Sequence, residues 1–150
     1  MNPVMPEEAA SYLIVDGHSV IHAWPDLAKL HRTGSKRHLA REALLHRMRT
    51  LQDMTGQRVV VVFDGTRSRL SEEREAGGLQ VFYADAGRTA DAVIERLAAR
   101  YGATHRLRVA SGDGMVRDSV HASGAEWISP DFLRIEWERA EEDLRRRIGS

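Results

Sequence analysis

Three aspartates follow apolar runs of the sequence at the points where those runs end. Asp16 follows YLIV, Asp64 follows VVVVF, and Asp113 comes shortly after RLRVA. A fourth acid, Asp91, lies two residues after Thr89, in the first turn of a predicted helix. If the runs are parallel strands, their carboxyl ends meet at one edge of the sheet, where open α/β sheets bind ligands. We therefore predict that these four carboxylates converge.

Four carboxylates in one place repel each other, and some of them would then hold protons at neutral pH. Divalent cations that prefer oxygen ligands, Mg²⁺ or Mn²⁺, would neutralise such a cluster. These ions bridge to substrate phosphate, orient an attacking water and stabilise the leaving oxygen of an in-line displacement. The aspartates therefore indicate metal-assisted chemistry on a phosphate.

Each aspartate also has a purely structural interpretation. Asp16 and Asp64 each precede a glycine, and Asp-Gly is a common turn sequence. Asp91 is typical of an acid that interacts with a helix dipole, and Asp113 of a helix N-cap. The functional interpretation is favoured because acids at three strand ends would otherwise be three separate coincidences.

The composition indicates an ordinary globular protein. The chain has 150 residues, 42% of them hydrophobic and 29% charged, which predicts a single domain over 1–150. The absence of cysteine excludes a disulfide scaffold, a thiolate zinc site and a cysteine nucleophile. No apolar run approaches the ~20 residues of a membrane span, so we expect a cytoplasmic protein without a membrane partner. Residues 1–10 are expected to form a flexible tail.

Apolar runs bounded by glycine predict five strands that are buried on both faces. These strands are 12–15, 59–63, 79–83, 106–110 and 125–128. Helical spacing predicts helices between them, at 36–55, 90–101, 114–122 and 130–147. The alternation predicts an α/β fold, a three-layer α/β/α sandwich with right-handed crossovers.

Capping residues support these helix boundaries. Ser35, Thr89 and Ser129 are predicted N-caps, and Gly56 is a predicted C-terminal stop. The longest stretch without periodicity, 65–78, is expected to be an exposed and mobile loop, of a length that is more often functional than not.

Other candidate motifs are weak. There is no P-loop, and His18, His22, His105 and His121 show no zinc-helix spacing. Trp24, Trp127 and Trp137 are expected in the core or along a groove, where Trp24 could also stack on a base. Net charge is zero, but Lys29 to Arg49 holds seven basic residues and one acid. That segment is a candidate phosphate-facing surface.

Four blocks of the sequence together resemble the YacP-type NYN domain of the PIN-like ribonuclease superfamily. The resemblance extends from about residue 11 to residue 135, through the blocks YLIVDGHSVIHAWPDL, REALLHRMRTLQDMTGQRVVVVFDG, RTADAVIERL and VASGDGMVRDSVHASGAEWISPDFL. It implies a mainly parallel five-stranded sheet of order 3-2-1-4-5 and a metal-dependent endoribonuclease. The family's acidic residues correspond to Asp16, Asp64, Asp91 and Asp113.

The resemblance also implies supporting residues around the acids. Thr89 and Ser111 match small hydroxyl residues of the family, and Asp118 is a weaker acidic candidate. Ser19 is a departure, since the family usually has Asn there, and Ala92 stands where a second acid often follows Asp91.

RNA is the partner that the resemblance implies, with the ribosome or another ribonucleoprotein as a further expectation. The residues expected to hold RNA phosphates are Lys36, Arg37, Arg41, Arg67 and Arg69. The alternative is a non-catalytic module that binds RNA or a ribonucleoprotein on the same fold. A small-molecule phosphatase is less favoured, because it needs a deep pocket beside the open stretch 65–78.

Overall fold

Six strands and six α-helices make up the computed structural model, which describes residues 11–65, 71–74, 78–86 and 89–149. The strands are β1 (Ser11–Asp16), β2 (Arg58–Gly65), β3 (Ser71–Arg74), β4 (Gln80–Ala86), β5 (Arg106–Ala110) and β6 (Glu126–Ile128). The helices are α1 (Gly17–Ala23), α2 (Pro25–Arg32), α3 (Arg37–Thr55), α4 (Ala90–Tyr101), α5 (Gly114–Ala122) and α6 (Pro130–Gly149). A short 3₁₀ turn, Gly34–Lys36, precedes α3.

The strands form one sheet in the order β3-β4-β2-β1-β5-β6. Every pairing from β4 to β6 is parallel, which confirms the five-stranded order 3-2-1-4-5. β3 adds a sixth strand, antiparallel to β4. The prediction of a loop over 65–78 is therefore wrong for 71–74. β3 pairs with backbone groups of β4 that would be open if β4 were the edge strand.

Alternating residues of the central strands build the two halves of the core. In β2, Val59, Val61 and Phe63 belong to a cluster with residues of α1, α2, α3 and α6. Val60 and Val62 belong to a second cluster, with residues of α4 and α5. Side chains alternate across a strand, so an unbroken apolar run is buried on both faces. The three-layer sandwich is confirmed.

The helix boundaries agree with the predictions in part. Gly56 ends α3 in the left-handed conformation, with φ of 76°, and the Ser129 hydroxyl oxygen accepts the Phe132 N–H at 3.0 Å. The prediction of Ser35 as N-cap is wrong, because that residue lies within the 3₁₀ turn and Lys36 occupies the N-cap position.

Two helices that the sequence analysis did not predict, α1 and α2, follow β1 directly. β6 begins at Glu126, one residue later than predicted. The predicted tail 1–10, and residues 66–70 and 75–77 of the predicted loop, lie outside the described residues. Within the described ranges, no helix combines the length and apolar character needed to cross a bilayer.

Trp24, at the junction of α1 and α2, is fully buried. The expectation that Trp24 could stack on a base is therefore wrong. Its indole N–H donates to the Pro130 carbonyl at 2.9 Å, and its ring stacks on Trp137 at 5.7 Å between centroids. These contacts join the segment that follows β1 to the start of α6.

We predict that Trp24→Phe destabilises the protein by about 1–3 kcal/mol, because it removes a buried hydrogen bond to the Pro130 carbonyl together with part of a fully buried ring system. Urea unfolding of the wild type and the variant measures the difference. Trp137→Phe is the matched control, since the Trp137 indole N–H has no hydrogen-bond partner among the described residues. Equal losses in the two variants would contradict the role of the hydrogen bond.

Candidate active site

The carboxyl ends of β1, β2 and β5 open into one cleft of about 540 Å³. Asp16 is the last residue of β1, Asp64 lies near the end of β2, and Asp113 immediately precedes α5. Asp91 reaches the same cleft from the first turn of α4. The structure thus brings the four predicted carboxylates together. The cleft is lined by Asp16, His18, Ser19, His22, His31, Asp64, Thr89, Asp91, Gly112 and Asp113.

Asp16 is the buried member of the group, with 5% of its surface exposed. Burial raises the pKa of Asp16, and the nearby charge of Asp64 adds to this, while the Ser111 hydroxyl and the Ser19 backbone N–H oppose it. The Ser111 hydroxyl donates to Asp16 Oδ2 at 2.9 Å and accepts the Asp113 N–H at 3.1 Å. Ser111 therefore fixes the positions of two of the four acids.

Asp64 and Asp113 each accept a hydrogen bond from a helix N-terminus. Asp64 Oδ1 accepts the Ala90 N–H at 2.7 Å, so Asp64 caps α4. Thr89 occupies the N-cap position there without a capping bond from its side chain. Asp113 Oδ1 accepts the Met115 N–H at 2.8 Å, and this bond lowers the pKa of Asp113. The capping interpretation of Asp113 is confirmed.

Asp91 has a strongly raised pKa. Burial, followed by the negative charge of Asp16 and contact with Asp113, raises the pKa of Asp91 to about 6. A hydrogen bond between the Asp91 and Asp113 side chains raises the pKa of Asp91 and lowers that of Asp113. Below about pH 6 the proton of this hydrogen bond therefore resides on Asp91.

Three histidines form the wall of the cleft on the side of α1 and α2. His18 Nδ1 lies 3.2 Å from Asp64 Oδ2. The His31 ring lies 4.8 Å from that of His22 and 6.0 Å from that of His18, between centroids. No zinc-helix spacing is expected among His18, His22, His105 and His121; His18 and His22 nevertheless lie one turn apart on α1. The short helix, which was not predicted, brings them to the cleft.

His31 lies behind the other two histidines. Its Nδ1 is buried and has no hydrogen-bond partner among the described residues. Burial lowers the pKa of His31, and the positive charges of His22 and Arg37 act in the same direction. The inner end of this wall therefore favours a neutral imidazole.

Ser19 connects α1 to the loop between β5 and α5. Its hydroxyl oxygen accepts the Gly112 N–H at 2.6 Å. Gly17, two residues earlier, packs so closely on Phe63 that an added Cβ would overlap the ring. Ser19 is thus a positioning residue that holds a neighbouring loop.

Asp118 is not part of the cleft. Its side chain is 79% exposed and lies 3.7 Å from the Arg117 guanidinium, so its predicted supporting role is wrong. Arg37 borders the cleft, since its Nε donates to the His31 carbonyl at 3.3 Å. Lys36 is exposed in the 3₁₀ turn. Arg67 and Arg69 lie outside the described residues.

The donor chemistry of the cleft fits a hard divalent cation, because carboxylate oxygens are the ligands that Mg²⁺ and Mn²⁺ prefer. In the described part of the chain, no Lys or Arg forms an ion pair with any of the four aspartates; Asp64 pairs with His18. The carboxylates nevertheless do not form a closed ligand set: among the same residues, no three His, Asp or Glu side chains are arranged to hold a metal ion.

Comparison with known proteins gives consistent matches. A family model described as the YacP-like NYN domain matches residues 13–150. The uncharacterized protein YacP of Bacillus subtilis (strain 168) is 33% identical over 138 residues, 91% of this chain and 80% of the relative. The crystal structure of Rae1 (YacP) from Bacillus subtilis matches with a TM-score of 0.75 and 31% identity, covering 91% of this chain and 79% of that chain. A mutant form matches with a TM-score of 0.76 and 32% identity, covering 91% and 80%.

The raised pKa of Asp91 predicts a pH-dependent stability of the metal-free protein. Because the pKa of about 6 in the folded protein exceeds the usual value of 3.8, folding favours the protonated form. The stabilisation is complete at pH below about 4 and is lost as the pH rises through about 6. Asp91→Asn, which stays neutral, should therefore melt several degrees above the wild type at alkaline pH and show no such advantage near pH 4.

Thermal melts in a chelating buffer at several pH values measure this effect. Asp118→Asn is the control, because it removes a carboxylate that is 79% exposed outside the cleft. Carboxyl NMR of Asp91 provides a direct check. A titration midpoint near 4 would contradict the electrostatic coupling in the cleft.

Proposed function

The chain belongs to the YacP-like NYN domain family and has a PIN-like nuclease fold, and on this basis we propose that it is a metal-dependent endoribonuclease. The observation that carries the proposal is the cleft itself: four aspartates from distant parts of the chain line it. In the described residues, no arginine or lysine pairs with them. A binding module that had lost catalysis would have no need to keep four carboxylates together.

Asp16, Asp64, Asp91 and Asp113 are the residues that would hold one or two Mg²⁺ or Mn²⁺ ions. The chemistry that such ions supply is positive charge for the phosphate in the transition state and activation of a water molecule. Because the four carboxylates do not form a closed set, we propose that some of them act through water, which these ions retain readily.

The chain's own groups hold the acids in place for this role. The Ser111 hydroxyl fixes one oxygen of Asp16, and the N-termini of α4 and α5 fix one oxygen each of Asp64 and Asp113. The second oxygen of Asp64 lies 3.2 Å from His18 Nδ1, and Asp113 shares a side-chain hydrogen bond with Asp91, so a bound cation would take the place of these contacts. The proton held between Asp91 and Asp113 would be released when a cation binds, so cation affinity should increase as the pH rises through about 6.

RNA is the proposed substrate, cut at phosphodiester bonds. Arg37 Nε donates to the His31 carbonyl at 3.3 Å, which places a positive charge beside the cleft for backbone phosphates. The net charge of the chain is zero, which does not favour tight binding to RNA in general. We therefore propose that the RNA is presented by a ribonucleoprotein such as the ribosome.

We predict that Asp16→Asn lowers the rate of RNA cleavage by at least ~10²-fold, because it removes a charged ligand while keeping the shape of the side chain. A gel assay on labelled RNA, in Mg²⁺ and in Mn²⁺, measures the rate, and circular dichroism checks the fold. A chelator should abolish wild-type cleavage, and added cation should restore it. Asp118→Asn is the matched control and should cleave like the wild type.

Two outcomes would contradict this proposal. Cleavage by Asp16→Asn at the wild-type rate would exclude the four-aspartate site. If the wild type binds RNA but does not cleave it in either cation, the protein is instead a non-catalytic RNA-binding module.

A further inference from the structure

A second groove, of about 490 Å³, lies between α3 and β4. It is lined by His38, Arg41, Glu42, Leu45, Arg49 and Tyr83, which we call the α3 groove. Among the described lining residues two arginines outnumber one glutamate, so this part of the lining carries net positive charge. The catalytic cleft, in contrast, is dominated by carboxylates.

The positive charges of the α3 groove lie along one line. His38, Arg41, Leu45 and Arg49 recur at intervals of three or four residues, which places them on one face of α3. Arg41 and Arg49 are eight residues apart, or about 12 Å along the helix axis at ~1.5 Å per residue. A stacked strand of nucleic acid rises ~3.4 Å per nucleotide, so this line spans roughly three nucleotides.

The α3 groove also adjoins the catalytic cleft. The His18 ring, which lines the cleft, contacts the Phe63 ring at 5.5 Å between centroids. Phe63 in turn stacks on Tyr83, which lines the groove, at 5.6 Å. On the other side, the positive charge of Arg41 helps to lower the pKa of His31 in the cleft wall. The α3 groove and the histidine wall of the cleft are therefore neighbours in the structure.

We propose that the α3 groove binds single-stranded RNA next to the cleavage site, an inference that rests on the proposed function. The Arg41 and Arg49 guanidiniums suit phosphate oxygens, which they bind in pairs. The half-buried ring of Tyr83 and the exposed ring of His38 suit the faces of bases. Base faces are covered in a double helix, so rings of this kind select unpaired RNA.

The test is a binding measurement in which no cleavage takes place. Fluorescence anisotropy of labelled single-stranded RNA, in chelator, is measured with the full chain over a range of salt concentrations. Arg41→Glu should weaken binding about tenfold and lower the slope of log affinity against log salt by about one or more. Arg58→Glu makes the same change of charge at the start of β2, among the amino ends of the parallel strands. This variant should bind within twofold of the wild type.

A second pair of variants tests the ring contact. Tyr83→Phe keeps the ring and should bind RNA like the wild type, whereas Tyr83→Leu should bind several-fold more weakly. Cross-linking of thiouridine-containing RNA, mapped by mass spectrometry, should label the peptide that contains Tyr83 in the wild type. Melting curves of both variants confirm that the packing on Phe63 is kept.

The proposal is overturned if Arg41→Glu and Arg58→Glu bind single-stranded RNA equally well. It is also overturned if Arg41→Glu keeps its affinity for RNA but loses affinity for a polyglutamate peptide, since the groove would then serve an acidic protein segment. Because binding is measured in chelator, this result is independent of the Asp16→Asn cleavage assay. Either proposal can therefore fail while the other stands.

Discussion

Repulsion between carboxylates at the carboxyl ends of β1, β2 and β5 is the constraint around which this end of the molecule is built. The fold offsets the repulsion locally: a buried serine hydroxyl on Asp16, helix N-termini on Asp64 and Asp113, and an imidazole beside Asp64. The compensation is incomplete, because the pKa values of Asp16 and Asp91 remain raised. The residual cost would be relieved by a cation, which is why the cleft is better explained as a binding site than as a set of turns.

The sequence predicts the central part of this arrangement because burial constrains it strongly. A parallel strand covered on both faces must be apolar throughout, so VVVVF and YLIV are recognisable, and the residues that end them are located with them. The order of the strands came from the family resemblance, since apolar runs alone do not specify which strands are neighbours. The meeting of Asp16, Asp64 and Asp113 was predicted without that order, because the carboxyl ends of parallel strands share one edge of the sheet.

The histidine wall was missed because its helices leave little trace in the sequence. α1 has seven residues and α2 has eight, which is too short for a clear apolar period, and such helices depend on tertiary packing. The edge strand β3, SEER, was missed for a similar reason: its sequence has no apolar residue, and its pairing is through backbone bonds to β4. Asp118 was wrongly expected beside the four acids. A helix turns by about 100° per residue, so the Asp118 side chain points about 140° away from the direction of Asp113.

The double use of Asp64 and Asp113 affects how substitutions at the site should be interpreted. Each has one oxygen that accepts a backbone N–H at the start of a helix, and loss of an N-cap typically costs ~1 kcal/mol. An alanine would remove this cap together with the negative charge, so its effects on stability and on activity would be mixed. An asparagine keeps an oxygen for the helix and removes only the charge. The helix caps are therefore part of the site, because they set the direction in which each remaining carboxylate oxygen faces the cleft.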